Sequence, residues 1–424
     1  MATESIFTGK NLRFLLLSLA LIAALAVLNL LTDGESPEGS RTLGLIGLVV
    51  FWALPLLAFT QRQRITKLWR DLGSMAQRDA APLPRHPVLN LVLVSFVVLF
   101  VETMLIRYIG SQTRIFAFYK NIPLIGAFLG LGVGCYLGKG GRREALLFLA
   151  AVAVIGLFFS TAAQSLGVIL GLSASSASSE QVFGYSLARV PDFMAKLIGN
   201  VHVGLFCVAV FLSLAGCFSL LGRILATSFD GLPRLKAYTA NIAGSLAGLV
   251  AFVLLSRLMT PPWIWFLVGL APMLWWLGRG RTLKAGAALI VVAAAVVAPH
   301  LHDTVWSTYQ KLVGKPIANG YEIYISDAFY QRAYDLRPEA VAKFATNPMP
   351  TYDAEFKGIE KLDRVLVVGA GSGNDVAAAL RAGAGHVDAV DIDAAIVEMG
   401  RLHHPEHPYD DPRVTPIIDD ARDA

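Results

Sequence analysis

The stretch Asp363-Arg-Val-Leu-Val-Val-Gly-Ala-Gly-Ser-Gly-Asn374 decides the fold of the C-terminal part of this chain. Its short apolar run ending in glycine is typical of a fully buried parallel strand. The residues after the glycines, 375–381, predict a helix that Gly383 stops, and a second strand begins near His386 and ends at Asp391. This order of strand, glycine turn, helix, strand and acid predicts the first part of a Rossmann-like nucleoside-binding domain of the α/β class.

The glycines and the acid of this segment suit a nucleoside ligand. Gly369, Gly371 and Gly373 let a ligand press against the backbone, and the helix N-terminus that follows offers free N–H groups. Asp391, at the tip of the second strand, can accept hydrogen bonds from both ribose hydroxyls. The dinucleotide fingerprint G-x-G-x-x-G would need its third glycine at Asn374, but here that glycine comes one residue earlier. The spacing therefore favours an S-adenosylmethionine-type ligand over NAD or FAD, and a domain that has lost its ligand is the alternative.

Apolar runs dominate the rest of the chain. Of its 424 residues, 55% are hydrophobic and only 16% are charged, whereas a soluble domain carries about 25% charged residues. Runs suited to a membrane helix of about 20 residues lie at 14–31, 43–59, 88–109, 122–137, 145–172, 201–221, 237–255 and 263–277, with a short ninth at 285–299. We expect an α-helical polytopic bundle of eight or nine spans over residues 1–300, a small β-rich segment at 301–350, and the Rossmann-like part at 351–424.

Loop charges orient the predicted bundle. Lys and Arg collect in the loops 60–87, 138–143, 222–236 and 278–284, while loop 32–41 is acidic. The positive-inside rule places the basic loops in the cytoplasm, so the net charge of +5 does not call for a nucleic-acid partner. Eight spans put the C-terminal domain in the cytoplasm and nine put it outside. The loop charges leave this open. An adenosyl ligand favours eight, with the ninth run lying in the interface or packed on the bundle.

Two stripes of small residues within the apolar runs predict close helix packing. A spacing of four residues puts small side chains on one helix face and lets a second helix approach. The two stripes are Gly126, Gly130, Gly134 and Gly138, and Ala240, Gly244 and Gly248 near Asn241.

Two ionisable residues, Glu102 and Arg107, fall within or at the end of one apolar run. Ionisable groups at membrane depth are costly and are usually paired or face a cavity. Five residues apart on one helix, these two do not share a face. Together with Asn241, they are the polar groups expected inside the membrane. Glu102 is either a functional group or a carboxyl satisfied by another helix, and Arg107 is expected to reach the outer interface.

No metal site is predicted. The three cysteines all lie in apolar runs without CxxC spacing, which is typical of packing residues. A local group of His403, His404, Glu406 and His407 predicts a surface loop, because no second cluster supplies further metal ligands.

Taken together, these motifs resemble the membrane-bound spermidine synthase-like (polyamine aminopropyltransferase-type) family, in which a helical bundle precedes an aminopropyltransferase-type domain. The resemblance covers most of residues 88–424. Besides the glycine turn and the Glu102 segment, it rests on the glycine stripe and on residues 238–248, 306–310, 327–331, 390–393, 411–414 and 419–422.

The resemblance implies roles for the matching residues. The implied cofactor-binding residues are Gln310, Gly369, Gly371, Ser372, Gly373, Asp391 and Asp420, with Asp391 on the ribose and Asp420 on the adenine amino group. The implied substrate-binding residues, near the amine site, are Gln331 and Asp327. No catalytic residue is assigned, since the family's general base lies beyond Ala424. The chain is therefore expected to be C-terminally truncated and to lack the catalytic half.

The activity that the resemblance implies is that of a membrane-tethered transferase of polyamine biosynthesis. Its donor would be S-adenosylmethionine or decarboxylated S-adenosylmethionine, and its acceptor a small amine-like molecule. Ser372 stands where the family has an aspartate that grips the aminopropyl amine, and it supplies no charge for an ammonium group. Both an aminopropyltransferase-like and a methyltransferase-like reaction therefore stay open.

The alternative function is a membrane transporter or sensor of polyamine-like solutes with a regulatory or degenerate nucleoside-binding domain. The expected location is a bacterial-type inner (plasma) membrane, with the soluble domain in the cytoplasm. Membrane lipid and an amine-like acceptor are the expected partners, and a homo-oligomer stays open.

Overall fold

The computed structural model describes residues 62–78, 86–172, 192–298, 304–326, 328–342, 352, 356, 358, 359 and 361–423. The predicted spans at 14–31 and 43–59, and Asp327, lie outside these residues. The chain divides into a helical unit, residues 1–255 and 260–299, and a second unit that contains residues 300–424.

The helical unit supports a membrane location. Its described helices are α1 (Arg62–Arg78), α2 (Pro87–Gln112), α3 (Arg114–Phe118), α4 (Asn121–Leu137), α5 (Arg142–Leu172), α6 (Asp192–Phe229), α7 (Arg234–Arg257), α8 (Pro262–Leu270), α9 (Leu274–Leu277) and α10 (Arg281–Val296). Among the described residues, four segments are long and apolar enough to cross a membrane: α2, Arg142–Ser160 of α5, Gly204–Phe229 of α6, and α7.

The predicted span at 263–277 is interrupted, and the ninth run at 285–299 belongs to a short helix. A 3₁₀ turn, Ala271–Met273, separates α8 from α9. It contains Pro272, which has no N–H to continue an α-helical ladder. Helix α10 has 16 residues and buries a stripe at helical spacing, comprising Thr282, Gly286, Ile290, Ala293 and Ala294. This stripe packs α10 on its neighbours in the helical unit.

Glycines bring α4 and α6 into backbone contact. A Cβ atom on Gly126 would lie 3.0 Å from the carbonyl oxygen of Phe211, and one on Gly130 or Gly134 would clash with the backbone of α6. The predicted stripe is confirmed for these three glycines. It is wrong for Gly138, which has a φ of 58° and ends the helix with no atom near its Cβ position.

The second stripe packs α7 on α2. A Cβ atom on Gly244 or Gly248 would clash with the backbone of Val92 or Phe96. Beside this contact, Ser95 Oγ donates a 2.8 Å hydrogen bond to Asn241 Oδ1. The polar Asn241 predicted inside the membrane is therefore paired across this helix contact.

The second unit contains two sheets. Strands β1 (Thr304–Trp306), β2 (Lys311–Ile317), β3 (Gly320–Ile325) and β4 (Ala328–Tyr334) form an antiparallel sheet in chain order. A short helix, α11 (Pro338–Val341), follows. Strands β5 (Arg364–Val368), β6 (His386–Asp391) and β7 (Val414–Ile418) form a parallel sheet connected through α12 (Asn374–Arg381) and α13 (Ala394–His403).

The sequence predicted that strand β5 is buried on both faces, and this prediction is wrong. Val367 is 8% exposed, but Leu366 is 63% and Val368 60% exposed. The strand order β5-β6-β7 moves in one direction, and right-handed crossovers then put both connecting helices on the same face of the sheet. The described residues therefore cover one face of β5 and leave the other exposed.

We predict that Gly130→Ala destabilises the helical unit and Gly132→Ala does not. A Cβ atom at Gly130 meets the backbone of Ala215, whereas one at Gly132 meets nothing within 4 Å. The first change should cost about 1–3 kcal/mol through overpacking, and the second should be neutral or stabilise by up to about 1 kcal/mol through helix propensity. Denaturant unfolding in detergent, followed by circular dichroism, measures both. Equal effects of the two changes would contradict the packing described here.

Candidate functional site

The carboxyl ends of the three parallel strands meet at one edge of the sheet. Gly369 follows β5, Asp391 ends β6, and Asp419 follows β7. The backbone N–H of Asp419 donates to the carbonyl oxygen of Asp391 at 3.2 Å. This edge is where open α/β sheets bind ligands.

The turn after β5 requires its glycines. Gly369, Gly371 and Gly373 have φ values of 73°, 54° and 98°, a region that other residues enter only with strain. The N–H groups of Gly369 and Ala370 both donate to the carbonyl oxygen of Val390, at 2.9 and 3.0 Å. Gly373 then stands at the N-cap of α12. The turn is thus fixed to β6 at one end and opens a helix at the other.

The carboxylate of Asp391 is held in place by two backbone groups. Its Oδ2 accepts a 2.8 Å hydrogen bond from the N–H of Gly371, and its Oδ1 accepts one of 2.8 Å from the N–H of Asp393. A carboxylate has about four acceptor positions, so each oxygen keeps capacity for a further donor. The arrangement fits an acid that receives two hydroxyl groups.

Asp393 ties the β-rich segment to this edge. Ser307 Oγ donates to Asp393 Oδ2 at 2.6 Å, while Asp393 Oδ1 caps α13 by accepting from the N–H of Ala395 at 3.1 Å. The N–H of Gln310 donates to the same Ser307 Oγ at 3.0 Å. The predicted site residue Gln310 therefore lies in a turn anchored at the tip of β6. Asp393 was not predicted, although an aspartate before an apolar helix is an N-cap signal.

Gln331 lies directly against the glycine turn. A Cβ atom on Gly371 would lie 2.9 Å from both Nε2 and Oε1 of the Gln331 side chain. Among the described residues, no hydrogen-bond partner is found for the buried Gln331 Nε2 or for Oγ of Ser372, a residue that is fully buried. Buried polar groups nearly always have partners, so unpaired groups at the turn favour a ligand that would complete them.

Tyr330 belongs to this region and was not predicted. The register of β4 on β3 shifts between Ile323 and Tyr324, and Tyr330 has no partner opposite it. Such bulges redirect side chains and are frequent beside functional sites. Burial, together with the negative charges of Asp391 and Asp393, raises the pKa of Tyr330. The phenol is therefore within electrostatic range of both acids. Its position depends on a register shift that single-sequence patterns do not reveal.

Asn374 connects the glycine turn to β4. Its Nδ2 donates to the carbonyl oxygen of Arg332 at 2.6 Å and to the hydroxyl of Tyr352 at 3.0 Å. Its Oδ1 accepts from the N–H of Tyr334 at 3.1 Å and lies 3.2 Å from His404 Nε2. This network holds the strand that carries Gln331 against the start of α12.

The predicted surface loop at 403–407 is wrong for His404, which is fully buried. His404 Nδ1 accepts from the N–H of Glu406 at 3.1 Å, so Nδ1 carries no proton. Burial, followed by the nearby charges of Arg381 and His407, lowers the pKa of His404 to about 3. Glu406 pairs with Arg381 at 2.6 Å. Among the described residues, no group of three His, Cys, Asp or Glu side chains is placed to hold a metal ion.

Two further acids are engaged by neighbouring arginines. Asp420 binds Arg422 through both carboxylate oxygens, at 3.0 and 2.5 Å. Asp420 follows β7 and so lies at the end of the sheet that carries the glycine turn, but its carboxylate is directed to Arg422. Asp335 binds Arg337 in the same manner, at 2.9 and 2.6 Å.

In the helical unit, Glu102 is 3% exposed, and neither of its carboxylate oxygens has a hydrogen-bond partner among the described residues. The described helices therefore do not satisfy this carboxyl. Arg107 does not pair with it. The guanidinium carbon of Arg107 lies 4.9 Å from the ring centroid of Trp265, a cation–π geometry.

Comparison with known proteins adds no family assignment. No protein-family model matches the chain, and no curated protein matches it.

We predict that His404 makes the stability of the second unit depend on pH. His404 has a lower pKa folded than unfolded, so the unfolded state binds more protons and stability falls as pH drops below about 6.5. Going from about pH 7 to about pH 5 should remove about 2 kcal/mol. Hydrogen exchange of the β6 amides, corrected for intrinsic rates, measures the opening free energy at each pH. His404→Gln should flatten this dependence, and the exposed neighbour His403→Gln should leave it steep. An equally steep curve for His404→Gln would refute the assignment.

Proposed function

We propose that the second unit binds an adenosyl nucleoside of the S-adenosylmethionine type at the edge formed by the glycine turn and Asp391. The observation that carries the proposal is the Asp391 carboxylate, oriented by the N–H groups of Gly371 and Asp393 at the tip of β6. A carboxylate in this position is suited to two ribose hydroxyls. The parallel strands with their helical crossovers are, on this proposal, the first part of a Rossmann-like domain.

The polar groups around the turn support the same ligand. Gln331 Nε2 and Ser372 Oγ are buried and unpaired, and the start of α12 presents N–H groups that have no partner within the helix. A nucleoside with a polar chain on its ribose would meet Asp391 with the sugar and the glycine turn with the chain. Gln310 and Asp420 remain proposed contacts to the nucleoside base, the second only if Arg422 releases it.

We further propose that the protein is a membrane-tethered transferase that passes a group from the adenosyl donor to an amine-like acceptor. Displacement at the carbon next to a sulfonium depends mainly on alignment of donor and acceptor. We propose that the bulged Tyr330, which is within electrostatic range of Asp391 and Asp393, lines the approach of the acceptor to the donor. The four described helices that are long and apolar enough to cross a membrane support the tethering, and we propose a bacterial inner membrane with the domain in the cytoplasm, where an adenosyl donor is available.

Titration calorimetry of the full chain in detergent tests nucleoside binding, with methylthioadenosine and S-adenosylmethionine as ligands. Asp391→Ala should weaken both by about tenfold to a hundredfold, because hydrogen bonds to a charged acceptor are worth about 1.5–3 kcal/mol. Asp388→Asn is the matched control, since Asp388 lies on the same strand but pairs with Arg364 at 2.6 Å. If neither nucleoside binds the unaltered protein, or if both variants behave alike, the proposal fails.

A second candidate function follows from Glu102. A carboxyl without partners inside a helix that is able to cross a membrane is costly unless it meets a proton, a cation or a cavity. Such a group fits a transporter or sensor of polyamine-like solutes, in which the nucleoside site would be regulatory.

Uptake of a labelled polyamine into liposomes containing the protein tests this second function. Glu102→Gln keeps the shape of the side chain and removes its negative charge, so transport should fall by at least about tenfold, since unpairing a buried charge costs 2–5 kcal/mol or more. Thr103→Val, which removes only a hydroxyl bonded to Leu99 O at 2.7 Å, should retain uptake. No uptake by the unaltered protein would eliminate the transporter and leave the transferase.

A further inference from the structure

The unpaired groups at the glycine turn are hydrogen-bond donors. Gln331 Nε2 carries two N–H bonds and the Ser372 hydroxyl carries one O–H bond, and neither atom has a partner in the part of the chain that the structure describes. Both residues adjoin Gly371, since Ser372 follows it in the chain and the Gln331 amide lies 2.9 Å from its Cβ position. The helix that begins two residues later points its N-terminus, the positive end of its dipole, toward the same turn. These features together suit a negatively charged group.

The acidic side chains around the turn already have partners. Asp391 accepts from two N–H groups, and Asp393 binds Ser307 and caps α13. Asp375, in the first turn of α12, has an interaction of its own. The other nearby acids pair with arginines: Glu322 with Arg332, Asp335 with Arg337, and Glu406 with Arg381. With Asp391 used for the ribose on the proposed site, none of these acids of the described residues is left over to pair with a lone ammonium group.

We infer that the site selects a donor whose chain ends in a carboxylate, and therefore S-adenosylmethionine rather than its decarboxylated form. This rests on the proposed nucleoside site. The carboxylate would accept from Gln331 Nε2 and the Ser372 hydroxyl, giving both buried donors a partner. Decarboxylated S-adenosylmethionine brings only an ammonium group, which donates hydrogen bonds and would leave both donors unpaired. Leaving a buried donor unpaired costs about 1–3 kcal/mol.

Calorimetry on the full chain with three nucleosides tests this inference separately from the proposed nucleoside site on which it rests. Methylthioadenosine has no amino-acid end and reports the nucleoside site alone. S-adenosylmethionine should bind at least about tenfold more tightly than the decarboxylated form, which corresponds to one satisfied donor. Equal or tighter binding of the decarboxylated form, with methylthioadenosine bound, would overturn the inference and leave the nucleoside site standing. Absence of all binding would overturn both.

Two variants locate the selectivity. Gln331→Glu replaces the donor amide by a carboxylate of the same shape and should reverse the preference toward the decarboxylated donor. Ser372→Ala removes one donor without adding bulk and should weaken S-adenosylmethionine by about tenfold more than methylthioadenosine. Thr415→Glu adds the same charge on the exposed middle of β7 and should leave the preference unchanged. If Gln331→Glu retains the original preference, the amide is not the selecting group and the inference is wrong.

Discussion

The hydrogen bond from the N–H of Gly371 to the carboxylate of Asp391 joins the turn after β5 to the tip of β6. It forms only if the turn adopts the positive φ values found at Gly369, Gly371 and Gly373, which glycine alone tolerates without strain. The same bond orients Asp391 before any ligand arrives. A preoriented acceptor loses less conformational freedom on binding, which favours affinity. The rest of this sheet edge, including the Asp393 cap and the start of α12, is built around that contact.

Local sequence patterns were sufficient to predict the helices and strands whose signals lie within one short segment. The apolar run, the glycines and the acid predicted β5, α12 and β6 within a residue or two, because each signal lies next to the element it specifies. The β-rich segment expected at 301–350 likewise contains β1 to β4. Long-range packing decided what the sequence did not show. His404 is buried beside Asn374, thirty residues earlier in the chain. The outer face of β5 is exposed because both crossovers cover the opposite face.

The candidate site was likewise predictable where one segment carries the signal and not where long-range packing decides. Asp391 and the glycines were predictable from one segment, whereas the contact of Gln331 with the turn depends on the packing of β4 against Gly371. The bulge at Tyr330 was not predictable, because a register shift depends on the partner strand and not on the sequence of β4 itself. Asp420 was implied by the family resemblance, but its carboxylate is bound by Arg422, two residues away, a pairing that the motif alone did not decide.

Each unit contains buried polar groups without a hydrogen-bond partner among the described residues. The two sets of groups favour different kinds of ligand. Gln331 and Ser372 are neutral donors beside a turn that also offers backbone N–H groups, so an anionic group suits them. Glu102 is a buried acceptor within an apolar helix, without a hydrogen-bond partner among the described residues. A nucleoside would not offset the free-energy cost of burying this unpaired carboxylate. A proton or a cation would lower that cost, and the two sets of groups therefore predict ligands of opposite charge in the two units of the same chain.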